Sequence, residues 1–179
     1  MTEQNGPSKA EPTPTADGKL EPSFSAQRIY LKDLSFETPK GAEVFQKQWK
    51  PRVNQDLSTH SSQLDNSLFE VSLRLTVTVK HEEETLYLVE VDQAGIFKIA
   101  GLDEKHLAQV LNTTCPSMLF PYAREVIDNT LTKGTFPPLM IPPVNFDALF
   151  STAVAAAQVK DEADGVAPSS DTNGEQTQH

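Results

Sequence analysis

The stretch LFEVSLRLTVTVK, residues 68–80, alternates without a break: Phe69, Val71, Leu73, Leu75, Val77 and Val79 are apolar, and Glu70, Ser72, Arg74, Thr76, Thr78 and Lys80 are polar. Successive side chains of a strand point to opposite faces, so period two over this length predicts a strand with one dry and one wet face. The charged segment HEEET at 81–85 breaks the pattern, and a second apolar run, Leu86 to Val91, follows it. This order predicts an antiparallel hairpin with a charged tip. In the second arm Glu90 and Asp92 share the face of Leu86 and Leu88, which describes a surface with an apolar centre and an acidic edge.

Working outward, Phe24 to Phe36 reads as an earlier strand whose alternation changes face near Leu31. Arg52 to Leu64 is a weaker strand candidate, with Val53 and Leu57 as its main apolar members. A long connection with Pro39, Gly41, Trp49 and Pro51 lies between the two. After Gly101 the period changes. Asp103 can cap a helix with Leu107, Val110 and Leu111 on one face. Pro116 and Pro121 interrupt that helix or start its successor, and Tyr122, Ala123, Val126, Ile127 and Leu131 form another helical stripe. Gly134 stands where a left-handed C-terminal cap is expected. The proline-rich stretch 135–143 is too rigid for a helix or a central strand. Asn145 then caps a last helix with Phe146, Leu149, Phe150, Ala153, Val154 and Ala157 in its stripe. Strands first and helices after them predict an α+β fold on an antiparallel sheet.

The chain has 179 residues, room for one ordinary domain. Residues 1–22 carry four prolines and almost nothing large and apolar, and residues 160–179 carry five acids against one lysine. Neither stretch can bury enough surface to offset the entropy of ordering it, so both are expected to be disordered tails around a working domain at 23–159. The net charge is −10. Nucleic-acid affinity comes mainly from lysine and arginine neutralising phosphate, so that class of partner is disfavoured. Anionic membranes repel such a chain, and basic partners attract it. No signal peptide and no apolar run of membrane-spanning length is seen, and the single Cys115 excludes an intramolecular disulfide. A cytoplasmic protein without direct membrane insertion is expected.

Enzyme chemistry does not emerge. His60, His81, His106 and His179 match no metal-ligand spacing, and Cys115 sits before a proline in an apolar helical context that suits a small buried hydrophobe. Gly95 and Gly101 are not followed by the Gly-Lys-Ser/Thr of a phosphate loop. No catalytic residue, metal or cofactor is expected. Phe136 with the prolines of 137–143, and the loop with Phe45 and Trp49, put large apolar groups on irregular backbone. Exposed together, they would form an interaction patch able to hold an extended peptide.

Several stretches resemble the SecB family of export chaperones: RIYLKDLSFE from Arg28, VFQKQW from Val44, FEVSLRLTVT from Phe69 and EVDQAGIF from Glu90. CPSMLFPYARE from Cys115, GTFPP from Gly134 and PVNFDALF from Pro143 continue the likeness, which covers about 24–159 in order. The resemblance implies a four-stranded antiparallel sheet followed by two main helices, assembled as a homotetramer, a dimer of dimers. It implies an ATP-independent holdase that keeps unfolded preproteins translocation-competent and delivers them to the SecA motor. Client-groove positions are then Phe36, Phe45, Trp49, Phe136 and Phe150. SecA would dock at Asp33, Glu37, Leu88 and Glu90, bringing its own zinc. Contacts between copies would involve Leu107, Val110, Leu111, Val89 and Val91. Two rivals are a SecB-like chaperone of a toxin–antitoxin pair and a small-ligand domain with a pocket behind Trp49.

Overall fold

In the computed structural model, residues 21–46, 48 and 50–164 are described. Four strands come first: β1 (Ser23–Glu37), β2 (Arg52–Asp65), β3 (Leu68–His81) and β4 (Glu84–Ala100). Three helices follow: α1 (Glu104–Asn112), α2 (Thr114–Lys133) and α3 (Phe146–Asp164). The sheet order is β1-β4-β3-β2, and each neighbouring pair is antiparallel. The fold class is the α+β arrangement read from the sequence, with β3 and β4 as its central hairpin.

The strict alternation of β3 decides which face is covered. Val71, Leu73, Leu75, Val77 and Val79 are all buried, and opposite them on β4 stand Gly95, Gln93, Val91, Val89 and Tyr87. Helix α2 lies on this inner face with Cys115, Leu119, Phe120, Ala123, Ile127 and Leu131 turned inward. Burying a leucine, isoleucine or phenylalanine side chain stabilises the fold by about 1.5–3 kcal/mol. Gly95 permits the close approach: a Cβ there would stand 2.8 Å from the Phe97 ring and 3.1 Å from Leu119. Burial pushes the Cys115 thiol up to about 12, so it is a packing group rather than a nucleophile.

Strand β1 changes face through two bulges. One extra residue, Gln27, separates the pairs Ala26–Phe97 and Arg28–Ile96, and a second, Lys32, separates Leu31–Gln93 from Asp33–Asp92. Each bulge flips the parity of the residues that follow. The inner positions are therefore Phe24 and Ala26, then Ile29 and Leu31, then Leu34 and Phe36.

The helices depart from the sequence reading in four ways. Residues Thr114–Lys133 form one helix, not two pieces. Pro116 sits in its first turn, where no N–H is needed, and Pro121 is accommodated inside it. Tyr122 is then off the buried stripe and 51% exposed. Gly134 has φ −77° and is not the left-handed cap. That conformation falls on Thr135, φ +63°. Phe136 N–H donates to the Leu131 carbonyl at 2.9 Å and Thr135 N–H to that of Thr132 at 3.1 Å, the paired bonds of a Schellman ending. Gly134 is needed for space instead, since a Cβ there would meet the Phe36 ring at 2.7 Å. Finally, α3 runs to Asp164, five residues past the boundary expected at 159. The remainder of the two expected tails, 1–20 and 165–179, lies outside the described residues.

Both cap residues read from the sequence are in place. Asp103 Oδ1 accepts the His106 N–H at 2.8 Å, and this backbone bond, with the His106 ring, holds the Asp103 carboxyl below its usual range. Asn145 Oδ1 accepts the Ala148 N–H at 3.0 Å.

Candidate binding surfaces

Among the described residues, the outer face of the sheet is uncovered and charged. Across β1 and β4, Asp33 pairs with Asp92, Ser35 with Glu90 and Glu37 with Leu88, so Asp33, Glu37, Leu88 and Glu90 occupy one patch of one face. Asp33 and Glu37 are exposed, and Leu88 and Glu90 are half-buried. Leu86 departs from the face expected of it: it falls at the register shift between the pairs Val79–Tyr87 and Lys80–Thr85 and joins the core, whereas Asp92 stays on the acidic edge beside Glu90. Asp92 is 7% exposed and closes the patch from below. Arg74, on the next strand, donates to Asp92 Oδ2 at 3.1 Å and stands 3.9 Å from Glu90. Thr76 Oγ1 donates to Glu90 Oε2 at 2.7 Å. These bonds fix the two carboxylates in direction and leave the Asp33–Glu37 side of the patch acidic.

Beside it, toward β2, an open cavity of about 320 Å³ is lined by Lys32, Ser58, His60, Ser72, Arg74 and Asp92. Its cations already have partners. Lys32 Nζ lies 3.0 Å from Glu70, to which the Tyr30 hydroxyl also donates. The Tyr30 bond first, and then Lys32, hold the Glu70 carboxyl below its usual range, and the same bond raises Tyr30 to about 12.

At the end of the inner face lies an aromatic corner. The Phe136 ring stands 4.5 Å from Tyr87, 5.2 Å from Phe45 and 6.1 Å from Phe36. Three of the five groove candidates are thus brought together, from β1, the β1–β2 connection and the segment after α2. Phe136 is 3% exposed and Phe45 55%, so Phe45 is the corner's open ring and Phe136 its floor. Tyr87 is the member the sequence reading missed. Its only signal is its parity with Val89 and Val91, which places it on the inner face. Phe150, half-buried on α3, makes no ring contact with this corner among the described residues, and Trp49 lies outside them.

The positions expected to meet a second copy divide. Val89 and Val91 are 0% exposed within one chain, because their parity puts them under α2, and they belong to its own core. Leu111 is buried too, while Leu107 and Val110 on α1 are half-buried. Among the described residues, apolar surface without a cover is found on α3, where Leu149 is 51% exposed and Val154 39%.

The model of the preprotein translocase subunit SecB family matches residues 17–157. The chain belongs to the SecB family. It is 54% identical over 141 residues to the protein-export protein SecB of Cellvibrio japonicus, covering 79% of this chain and 84% of that protein. It is 50% identical over 148 residues to the protein-export protein SecB of Hahella chejuensis, covering 83% and 93%. Among solved structures it resembles a SecB-like chaperone of Mycobacterium tuberculosis, in complex with a peptide from the HigA1 antitoxin. The TM-score is 0.55 at 19% identity, over 68% of this chain and 90% of that one. That likeness establishes the shared fold. The SecB match begins before β1 and ends inside α3, so it includes both surfaces described above.

Proposed function

We propose that this chain is a protein-export chaperone, a holdase that binds unfolded preproteins without ATP and passes them to SecA. The observation that carries the reading is the run of about half-identical positions shared with proteins named for export across nearly the whole fold. The aromatic corner supports it physically. Apolar contacts on irregular backbone tolerate many sequences, and folded proteins hide the segments that would fit them. Several weak contacts along one client chain multiply into tight binding when the surface is repeated in an assembly.

In this reading the acidic patch around Asp33, Glu37, Leu88 and Glu90 receives a basic segment of SecA, which brings its own zinc. The working form is a homotetramer, a dimer of dimers. The uncovered stripe of α3 and the half-buried Leu107 and Val110 supply the apolar surface for assembly. The site of action is the cytoplasm. Among the described residues no helix is long and apolar enough to cross a membrane.

Light-scattering mass after size exclusion tests the proposal, alone and with a slow-folding precursor diluted from denaturant. The expected result is a mass near four chains that captures the unfolded precursor and ignores its folded form. A monomer that captures nothing overturns it.

A further inference from the structure

The segment between α2 and α3 is held by two side chains of α2 that lie one turn apart on the same face. Asp128 Oδ1 accepts the N–H of Leu139 at 3.0 Å and that of Met140 at 3.4 Å. One turn earlier, Arg124 Nη1 donates to the Ile141 carbonyl at 3.3 Å. Three consecutive residues are thus gripped by their main chain, with two polar side chains reaching out from the helix to an otherwise extended strap.

The gripped residues have unlike fates. Leu139 is half-buried and Ile141 is 1% exposed, so both neighbours of Met140 turn inward. Met140 itself is 75% exposed, the highest value among the large apolar side chains described. Its backbone has φ +51°, the left-handed region that costs an unbranched L-residue free energy. Folding of the single chain gains little burial from that side chain and tolerates a strained backbone to display it. A left-handed backbone held by these bonds, at a side chain left mostly in solvent, points toward a functional position. Methionine is flexible and polarisable, and suits partners of varied shape. The strap begins at Phe136, whose ring lies against Phe45 in the aromatic corner, so one short segment carries both a corner ring and Met140.

We propose that Asp128, together with Arg124, is a positioning residue that holds Met140 outward as a contact for extended apolar segments of non-native chains. The inference rests on the holdase reading and adds to it a contact residue and the device that presents it. The carboxylate acts through its hydrogen bonds to two amides. An uncharged side chain with the same oxygen therefore serves, and one without that oxygen does not.

The test uses the full chain and a labelled precursor diluted from urea, with affinity read by fluorescence anisotropy and fold by melting temperature. Met140→Gly keeps or raises the melting temperature, because glycine adopts positive φ freely, yet weakens capture several-fold. Asp128→Leu weakens capture to a similar degree, and Asp128→Asn, which keeps the acceptor oxygen, restores it. Unchanged capture by Met140→Gly overturns the proposal. So does equal loss in Asp128→Asn and Asp128→Leu, since charge and not the grip would then be at work. A fall in assembly mass for Met140→Gly also overturns it, by assigning Met140 to a contact between copies. Wild-type protein that captures no client overturns the holdase reading itself, whereas wild-type capture with an indifferent Met140→Gly overturns this inference alone.

Discussion

Leu73 and Arg74 are neighbours on β3 and live on opposite sides of the same sheet. Leu73 is 0% exposed under α2, while the Arg74 side chain is 52% exposed among carboxylates. The two faces are written in alternate letters of one strand, and they do different work. The inner face is closed by a helix and supplies stability. The outer face is left open, and its polar groups are tied to one another: Arg74 to Asp92, Thr76 to Glu90, and Lys32 and Tyr30 to Glu70. A sheet that needs only one covered face can devote the other to recognition.

The sharpest way to break this comparison is on the inner face. Leu73→Ala removes a fully buried side chain and should cost about 2–5 kcal/mol, read from the urea midpoint of the whole assembly. A loss under about 1 kcal/mol would mean that the inner face is not the core. On the outer face the same experiment should show little and a binding experiment much. Glu90→Lys should leave mass and melting temperature nearly unchanged, and weaken SecA binding about tenfold at low salt, with the gap closing as salt is added. Normal affinity in that variant would remove the acidic patch from the docking surface.

The smallest effect concerns pH. Glu70 is held below its usual carboxylate range mainly by the Tyr30 hydroxyl. A depressed carboxylate contributes stability that is present above its unfolded value of 4.5 and fades as pH falls through its lower folded value. Tyr30, raised to about 12, contributes through the same bond below 10 and loses that contribution as pH climbs toward 12. Tyr30→Phe should therefore flatten both ends of the stability profile and leave neutral-pH capture intact. The Glu70 pair is partly exposed, so the change should be small.

Where periodicity was strict, the structure was legible beforehand. The β3–β4 hairpin, the caps at Asp103 and Asn145, and the change of face in β1 near Leu31 could all be read from local chemistry. So could the grouping of Glu90 with Leu88, because parity along one strand is a local property. What could not be read depended on contacts between distant residues. Tyr87 joins Phe36, Phe45 and Phe136 only through strand register and the path of the chain after α2. Gly134 looked like a backbone device and proved to be a space for the Phe36 ring, which comes from almost a hundred residues earlier. Val89 and Val91 carry no mark that separates a core face from a subunit face. Asp128 was unreadable for a related reason, since the amides it accepts belong to a strap of no regular structure.

The two bulges of β1 make that strand a sentence in three reading frames. Even-numbered residues face inward before Gln27, odd-numbered ones between Gln27 and Lys32, and even-numbered ones again after it. The second shift restores the first. Chain length is therefore negotiable at these two positions. Losing Gln27 or Lys32 itself would close a bulge and leave every flanking pair in step with β4. Losing Tyr30, in the middle frame, would instead turn Leu31 or Ile29 to the solvent, depending on which bulge closed to absorb the loss.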